Sequence, residues 1–372
     1  MAICRFENRI DGTALALEDH VACLHVTCAA QLQPTLQHIS EYQAQGYWIA
    51  LLLDYELGDW LDPASGLDSL AAQRQVPRLV AHVFRRARHT RPWRAQHTTT
   101  ASILQVTPGI TQSRYLEDVA QIRQHICAGD VYQVNYTFDL HVEISGHPQT
   151  LYRRLAQQHP SAHAAYIEDG ARTVLCFSPE LFIARQGSLL TCRPMKGTAP
   201  RDPDPARDAK SGQHLRLSDK NRAENLMIVD LVRNDLNRVA SPDSVRVPHL
   251  FTLEAYPSVW ALTSTITAQL SHRIGLLEIL RALFPCGSIT GAPKIAAMRQ
   301  IHRLESRPRG LYCGSLGWLA PNGDFSFNIA IRTLVLQDKQ HGYYAVGSGI
   351  VHDSDPKQEW QECFWKARLL HT

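Results

Sequence analysis

What this chain lacks narrows its function before any motif is read. Charge of one sign is missing: 38 lysines and arginines face 35 aspartates and glutamates, a formal net charge of +3 over 372 residues. So mild a balance leaves no nucleic-acid footprint. The densest basic stretch, HVFRRARHTRPWR at 82–94, reads as the solvated end of a helix. The nine cysteines are scattered without a C-x-x-C pair, which argues for reduced thiols rather than a disulfide framework. Long apolar runs are missing too, and the charged start MAICRFENRIDG does not match a secretory leader. A cytoplasmic protein without membrane contact is expected. Repeats and low-complexity tracts are also missing. What remains is 44% hydrophobic and long enough for two domains or one interwoven one.

Element signals sharpen along the chain. A helix at 35–46 ends on Gly46, and YWIALLLDYEL at 47–57 reads as a buried strand. A polar connection at 89–112 marks a boundary, dividing the chain into 1–112 and 113–372. SRYLEDVAQIRQHICAG (113–129) is predicted as a helix capped by Ser113, with Leu116, Val119, Ile122 and Ile126 in one stripe. TVLCF and LFIAR flank an SPE turn as strands. DPDPARDAK (202–210) reads as a polar loop, and a helix at 217–235 starts from Ser218. Later come a strand at VWALTSTITAQL, helices at GLLEILRALF and PKIAAMRQIHRLE, a hairpin turning at Asn322-Gly323, a strand at GYYAVGSGIV and a closing helix at DPKQEWQECFWKARLL. Interleaved helices and antiparallel turns point to an α+β fold.

Several positions could carry chemistry, each with a plainer alternative. Glu224, Ile228 and Leu231 share one helix stripe, as do Glu359, Glu362 and Lys366 on the last helix. Two carboxylates on two mostly apolar faces could share Mg²⁺, a hard cation. They could equally be a surface i, i+4 pair and a favourable charge near a helix start. CGSITGAPK (286–294) leads glycines and hydroxyls into a helix whose first position reads as Pro293, either an anion site or a cap. Gly347 and Gly349 could let a ligand approach a strand closely, or serve strand packing. Arg332, read on the strand face opposite Phe327, Ile329 and Ile331, could clamp a carboxylate or face water. Tyr312 could donate a hydrogen bond beside it or fill the core. Lys196, in CRPMKGTAPR, could be a solvated side chain, a phosphate ligand or a nucleophile, the last only as a free amine. Glu180 could donate a proton if its pKa is raised.

Taken together, GDVYQVNYTF, FSPELF, RPMKGTAPR, AENLMIVDLVRNDLNRVA, GSITGAPK, YCGSLGW, IAIRTL, GSGIV and QEWQECFWKA resemble the chorismate-utilising enzymes across about 113–370. That family includes anthranilate synthase component I and the aminodeoxychorismate, isochorismate and salicylate synthases. DYELG (54–58) extends the likeness and implies that 1–112 is a shortened part of the same unit. The implied fold is a large twisted antiparallel β-sandwich wrapped by helices, similar to anthranilate synthase component I, with its site between the layers.

The resemblance also implies roles. Anthranilate and isochorismate synthases resemble P-[IL]-A-G-T where this chain has P-M-K-G-T, and the aminodeoxychorismate synthases resemble P-I-K-G-T. Lys196 thereby looks like that branch's nucleophile, with Glu180 as proton donor to the departing C4 hydroxyl. Mg²⁺ is implied at Glu224 and Glu362, with Glu359 acting through water. Arg332 and Tyr312 are implied for the enolpyruvyl carboxylate, and Thr198, Thr290, Gly291, Gly347, Gly349 and Lys366 for the rest of the substrate. Ala261 stands where pyruvate-eliminating relatives carry histidine, and Cys286 stands where glycine is frequent. No G-x-C-x-G element and no lyase domain is found, so ammonia is expected from a separate glutamine amidotransferase or from free ammonium, and 4-aminobenzoate from a separate lyase. The competing expectations are an anthranilate or isochorismate synthase, or a non-catalytic chorismate-binding partner.

Overall fold

The computed structural model describes residues 2–67, 76–95, 100–257, 259–272 and 274–371. Its organising element is one sheet of 18 strands in which every pairing between strands is antiparallel. At one end Arg246–Ala255 pairs with Val259–Gln269, whose other side takes both Leu189–Arg193 and Met195–Pro200. Leu181–Gln186, Phe325–Asn328, Ser315–Leu319 and Trp48–Leu53 follow as successive neighbours. The ladder continues through Leu79–Thr90, Thr13–Val26, Ile3–Asn8, His163–Glu168 and Thr173–Ser178. It ends with Thr333–Leu336, His341–Ile350 and Gln133–Ser145, whose far edge carries Ser102–Pro108 and the two-residue strand Gly291–Ala292.

So long a twisted ladder has to curl, because apolar residues alternate along its strands and both faces need cover. One buried cluster joins Ala50, Leu52, Val80 and Leu316 from the middle of the ladder to Cys4, Ile167, Val174 and Val335 further along. These strand groups therefore face each other as two layers, the sandwich expected of the α+β class. A second, larger cluster lies under the helices. There Trp360 of the closing helix Pro356–Lys366 packs on Tyr115 and Phe138, with ring centroids 5.1 and 5.0 Å apart. Burying aromatic faces this way seats the helix against Gln133–Ser145.

Several expectations change. The basic stretch at 82–94 is mostly strand rather than helix end: it lies in Leu79–Thr90, which pairs along its length with Thr13–Val26 and, over Leu79–Phe84, with Trp48–Leu53 as well. Its positive charge is answered across the pair, where Arg86 and Arg88 meet Glu18 at 3.4 and 2.8 Å. DPDPARDAK opens a helix, Pro205–Leu217: Asp204 accepts hydrogen bonds from the Ala206 and Arg207 N–H groups, and Pro205 lacks the N–H that a first turn leaves unused. Thr111, not Ser113, caps the helix Gln112–Cys127, and Pro293 is the residue before the helix Lys294–Leu304. Ser218 does cap Asp219–Asn237. The hairpin of Ser315–Leu319 and Phe325–Asn328 turns at Gly323 (φ +86°), but Thr333–Leu336 is a separate strand. No described helix is long and apolar enough to cross a membrane.

Candidate active site

The site begins at a bulge. Met195 pairs with Thr263 and Thr198 with Ala261, so Lys196 and Gly197 together oppose Leu262 alone. Gly197 takes φ +86°, and a Cβ there would stand 2.9 Å from Asn221 Oδ1, so glycine is required on both counts. The extra residue re-aims Lys196 out of the ladder. Its Nζ reaches across to the opposite end of the ladder, 3.5 Å from where a Cβ on Gly349 would project. The two ends of the sheet meet at this point.

Glu180 lies close by in the turn between Thr173–Ser178 and Leu181–Gln186. Its Oε1 accepts hydrogen bonds from Ser288 Oγ at 3.0 Å and the Met195 N–H at 3.3 Å. Burial pushes its carboxyl up to about 7 despite the opposing pull of Lys196 and these two donors. Desolvation also lowers the Lys196 ammonium below its ordinary value, against the attraction of Glu224 and Glu180 and with help from Lys366. Both shifts act the same way: burial disfavours the charged lysine and the charged carboxylate alike, and so favours the neutral forms of the two groups side by side.

Helices bring the other charges. Glu224, on Asp219–Asn237, is raised by burial, and repulsion from Glu359 and Glu362 adds to this against the pull of Lys196 and Lys220. Burial alone would raise Glu362 too, but Lys366 at 2.8 Å leads the nearby cations that hold it below its usual range. Lys366 also donates to the Gly347 carbonyl at 2.8 Å. Glu359 accepts from Ser354 Oγ at 2.7 Å. Among the described residues no three ligating side chains close on one metal point. Three carboxylates that repel one another nevertheless suit a cation that takes one or two of them and keeps water or substrate oxygens as further ligands.

The remaining expected residues lie as follows. The Thr290 hydroxyl donates to the Cys286 and Gly287 carbonyls, at 3.1 and 3.3 Å, so it braces the loop. Gly291 takes φ +142°, where a Cβ would strike the Gln133 carbonyl at 2.1 Å. Thr198 is exposed. Tyr312 is buried, and burial pushes its hydroxyl far above the usual range. Arg332 lies off the strand expected for it, at φ +52° in the break before Thr333–Leu336. Its charge bears on Tyr344 and His159.

Two residues were not singled out from sequence. Ser288 holds Glu180, and Cys286 Sγ lies 3.3 Å from that same hydroxyl, which gives the cysteine a place in the loop. Gln133 is buried with its Oε1 unpaired, and its Nε2 stands 2.4 Å from a Cβ built on Gly349. Its place in GDVYQVNYTF was the only signal available.

Residues 63–372 match the family profile described as chorismate binding enzyme. The chain belongs to this family. Anthranilate synthase component 1 of Streptomyces coelicolor is 41% identical over 267 residues, 72% of this chain and 52% of that protein. Aminodeoxychorismate synthase component 1 of Escherichia coli is 44% identical over 261 residues, 70% of this chain and 57% of that protein. The chain thus spans little more than half the length of these relatives. Its fold matches anthranilate synthase component I from Streptococcus pneumoniae with a TM-score of 0.84 at 23% identity, over 97% of this chain and 92% of that one.

Proposed function

We propose that this chorismate-binding enzyme aminates chorismate at C4, giving 4-amino-4-deoxychorismate. The observation that carries the reading is the Lys196 amine, desolvated and aimed at Gly349 beside a Glu180 carboxyl raised to about 7. The free amine of Lys196 attacks C2 of the ring. Both ring double bonds move, C1=C2 to C1=C6 and C5=C6 to C4=C5, and the C4 hydroxyl leaves as water with the proton from Glu180. Ammonia then adds at C4, both double bonds move back, and the C2–N bond breaks to release Lys196. Two allylic substitutions replace one displacement of a poor leaving group.

Glu224 and Glu362 are the residues to hold Mg²⁺, with Glu359 through water. When bound, the ion supplies charge neutralisation for the ring carboxylate. Gly347, Gly349, Thr198, Thr290, Gly291 and Lys366 line that substrate, while Arg332 and Tyr312 take its enolpyruvyl carboxylate. Ammonia comes from a separate glutamine amidotransferase, and a separate lyase makes 4-aminobenzoate. We read residues 1–112 as part of the same unit, supported by pairing of Trp48–Leu53 with Ser315–Leu319 and of Ile3–Asn8 with His163–Glu168. A cytoplasmic setting fits nine free thiols.

The test is mass spectrometry of products from purified protein, chorismate, Mg²⁺ and ammonium, with and without an aminodeoxychorismate lyase. An amino compound that becomes 4-aminobenzoate only with the lyase supports the reading. Anthranilate or isochorismate as product overturns it, and unchanged chorismate favours a non-catalytic role.

A further inference from the structure

The far edge of Gln133–Ser145 is covered by strands only in part. Ser102–Pro108 pairs down to Leu140, and Gly291–Ala292 pairs with Val134 and Gln133. Between them two side chains do the work of a strand. Glu305 Oε1 accepts the Thr137 N–H at 2.9 Å, and Arg309 Nη2 donates to the Asn135 carbonyl at 2.5 Å. Arg309 also binds Glu305 through Nε and Nη2, at 2.8 and 2.6 Å, and its Nη1 donates to the Ile289 carbonyl at 2.9 Å. The residue is 4% exposed. Tyr55 packs against its guanidinium at 4.5 Å, and Glu56 accepts its backbone N–H at 2.7 Å.

This pair grips two walls of the site at once. Asn135 and Thr137 are the ladder partners of Gly349 and Gly347. Ile289 immediately precedes Thr290, and its loop carries Ser288, the donor to Glu180. We propose that Arg309 and Glu305 are positioning residues that set substrate affinity, by fixing the 286–291 loop against the strand opposite Gly347 and Gly349. The affinity part rests on the amination reading above; the clamping part does not. A planar five-donor fork suits the task, because lysine cannot reach the Ile289 and Asn135 carbonyls and Glu305 together.

The experiment measures chorismate KM and kcat, and amide hydrogen exchange across 286–293, for wild type, Arg309→Lys, Arg309→Ala and Glu305→Gln. Guanidinium ion serves as a rescue agent for Arg309→Ala, and a cavity of about 390 Å³ lined by Thr137, Glu305 and Arg309 gives it access. Expected are faster exchange in this segment and a KM raised about tenfold or more, with a much smaller change in kcat. Guanidinium, but not sodium at equal ionic strength, reverses both effects. Unchanged exchange overturns the clamp. A KM that stays put, or a loss that guanidinium does not relieve, overturns its role in affinity. If Arg309→Ala does not fold, Arg309→Lys and Glu305→Gln carry the same comparison. Wild-type protein that leaves chorismate untouched sinks the amination reading alone, and the exchange arm still decides the clamp.

Discussion

Two glycines two residues apart on one strand separate chemistry from packing. A Cβ on Gly349 would meet Gln133 Nε2 at 2.4 Å and Lys196 Nζ at 3.5 Å. The first neighbour is the end of a side chain that can swing away, and the second is at ordinary contact distance. Gly349→Ala therefore costs little stability, but it puts a methyl group into the space between the amine and the strand. Displacing reacting groups by about 1 Å can lower a rate by about 10²-fold, and a fall of that order in kcat/KM is expected here. A Cβ on Gly347 meets fixed backbone instead: the Tyr136 carbonyl at 2.4 Å and Thr137 Cα at 3.0 Å. Gly347→Ala should lose about 1–3 kcal/mol of stability, the usual range for overpacking a close-packed site. The assay pairs thermal unfolding with steady-state amination of chorismate by ammonium. A Gly349→Ala enzyme within about twofold of wild type in kcat/KM would refute the placement of the site over this strand. A Gly347→Ala protein that melts with the wild type would refute the close packing of this strand against Tyr136 and Thr137.

Other expectations concern the charged groups. Lys196→Ala should abolish amination, or slow it by about 10²-fold or more, while chorismate binding measured by calorimetry survives; unchanged turnover removes the nucleophile. Glu180 acts as an acid only while protonated, so kcat/KM should fall as pH rises through about 7, and Glu180→Gln should lack that limb. Ser288 donates to the Glu180 carboxylate and so favours the charged form. Ser288→Ala should move the limb to higher pH by up to about one unit, and a limb that stays or moves down contradicts the assignment. Glu362→Gln should raise the Mg²⁺ concentration needed for half-maximal activity about tenfold or more, and a superimposable Mg²⁺ titration discredits this metal site.

The later part of the chain was readable because its signals are local. Ser218 before an apolar-periodic run and Asn322-Gly323 between alternating segments are short-range cues, and both elements form there. The long strand Leu79–Thr90 is hidden because it is defined by its pairing with Thr13–Val26, a partner far away in sequence. Lys196 stood out as a residue, but its bulge is a matter of register against Val259–Gln269, and register is not written in either strand alone. Asp204-Pro205 is a helix-start signal that the neighbouring prolines obscure. Arg332 belongs to an alternating run whose pattern continues straight through a break, so only the backbone reveals its left-handed turn. Ser288 and Gln133 matter through what they touch, which no spacing within their own segments announces.

The meeting of the two sheet ends has a consequence for how this protein comes to be active. Gln133, Glu180, Lys196, Glu224, Gly349 and Glu362 belong to six separate segments, drawn from both ends of the ladder. A partly folded chain that holds much of the ladder still lacks an assembled site. Recovery of turnover during refolding should therefore trail recovery of secondary structure, with contacts of such long sequence separation among the last to form. Catalysis in this architecture is a report that the ring of strands has closed.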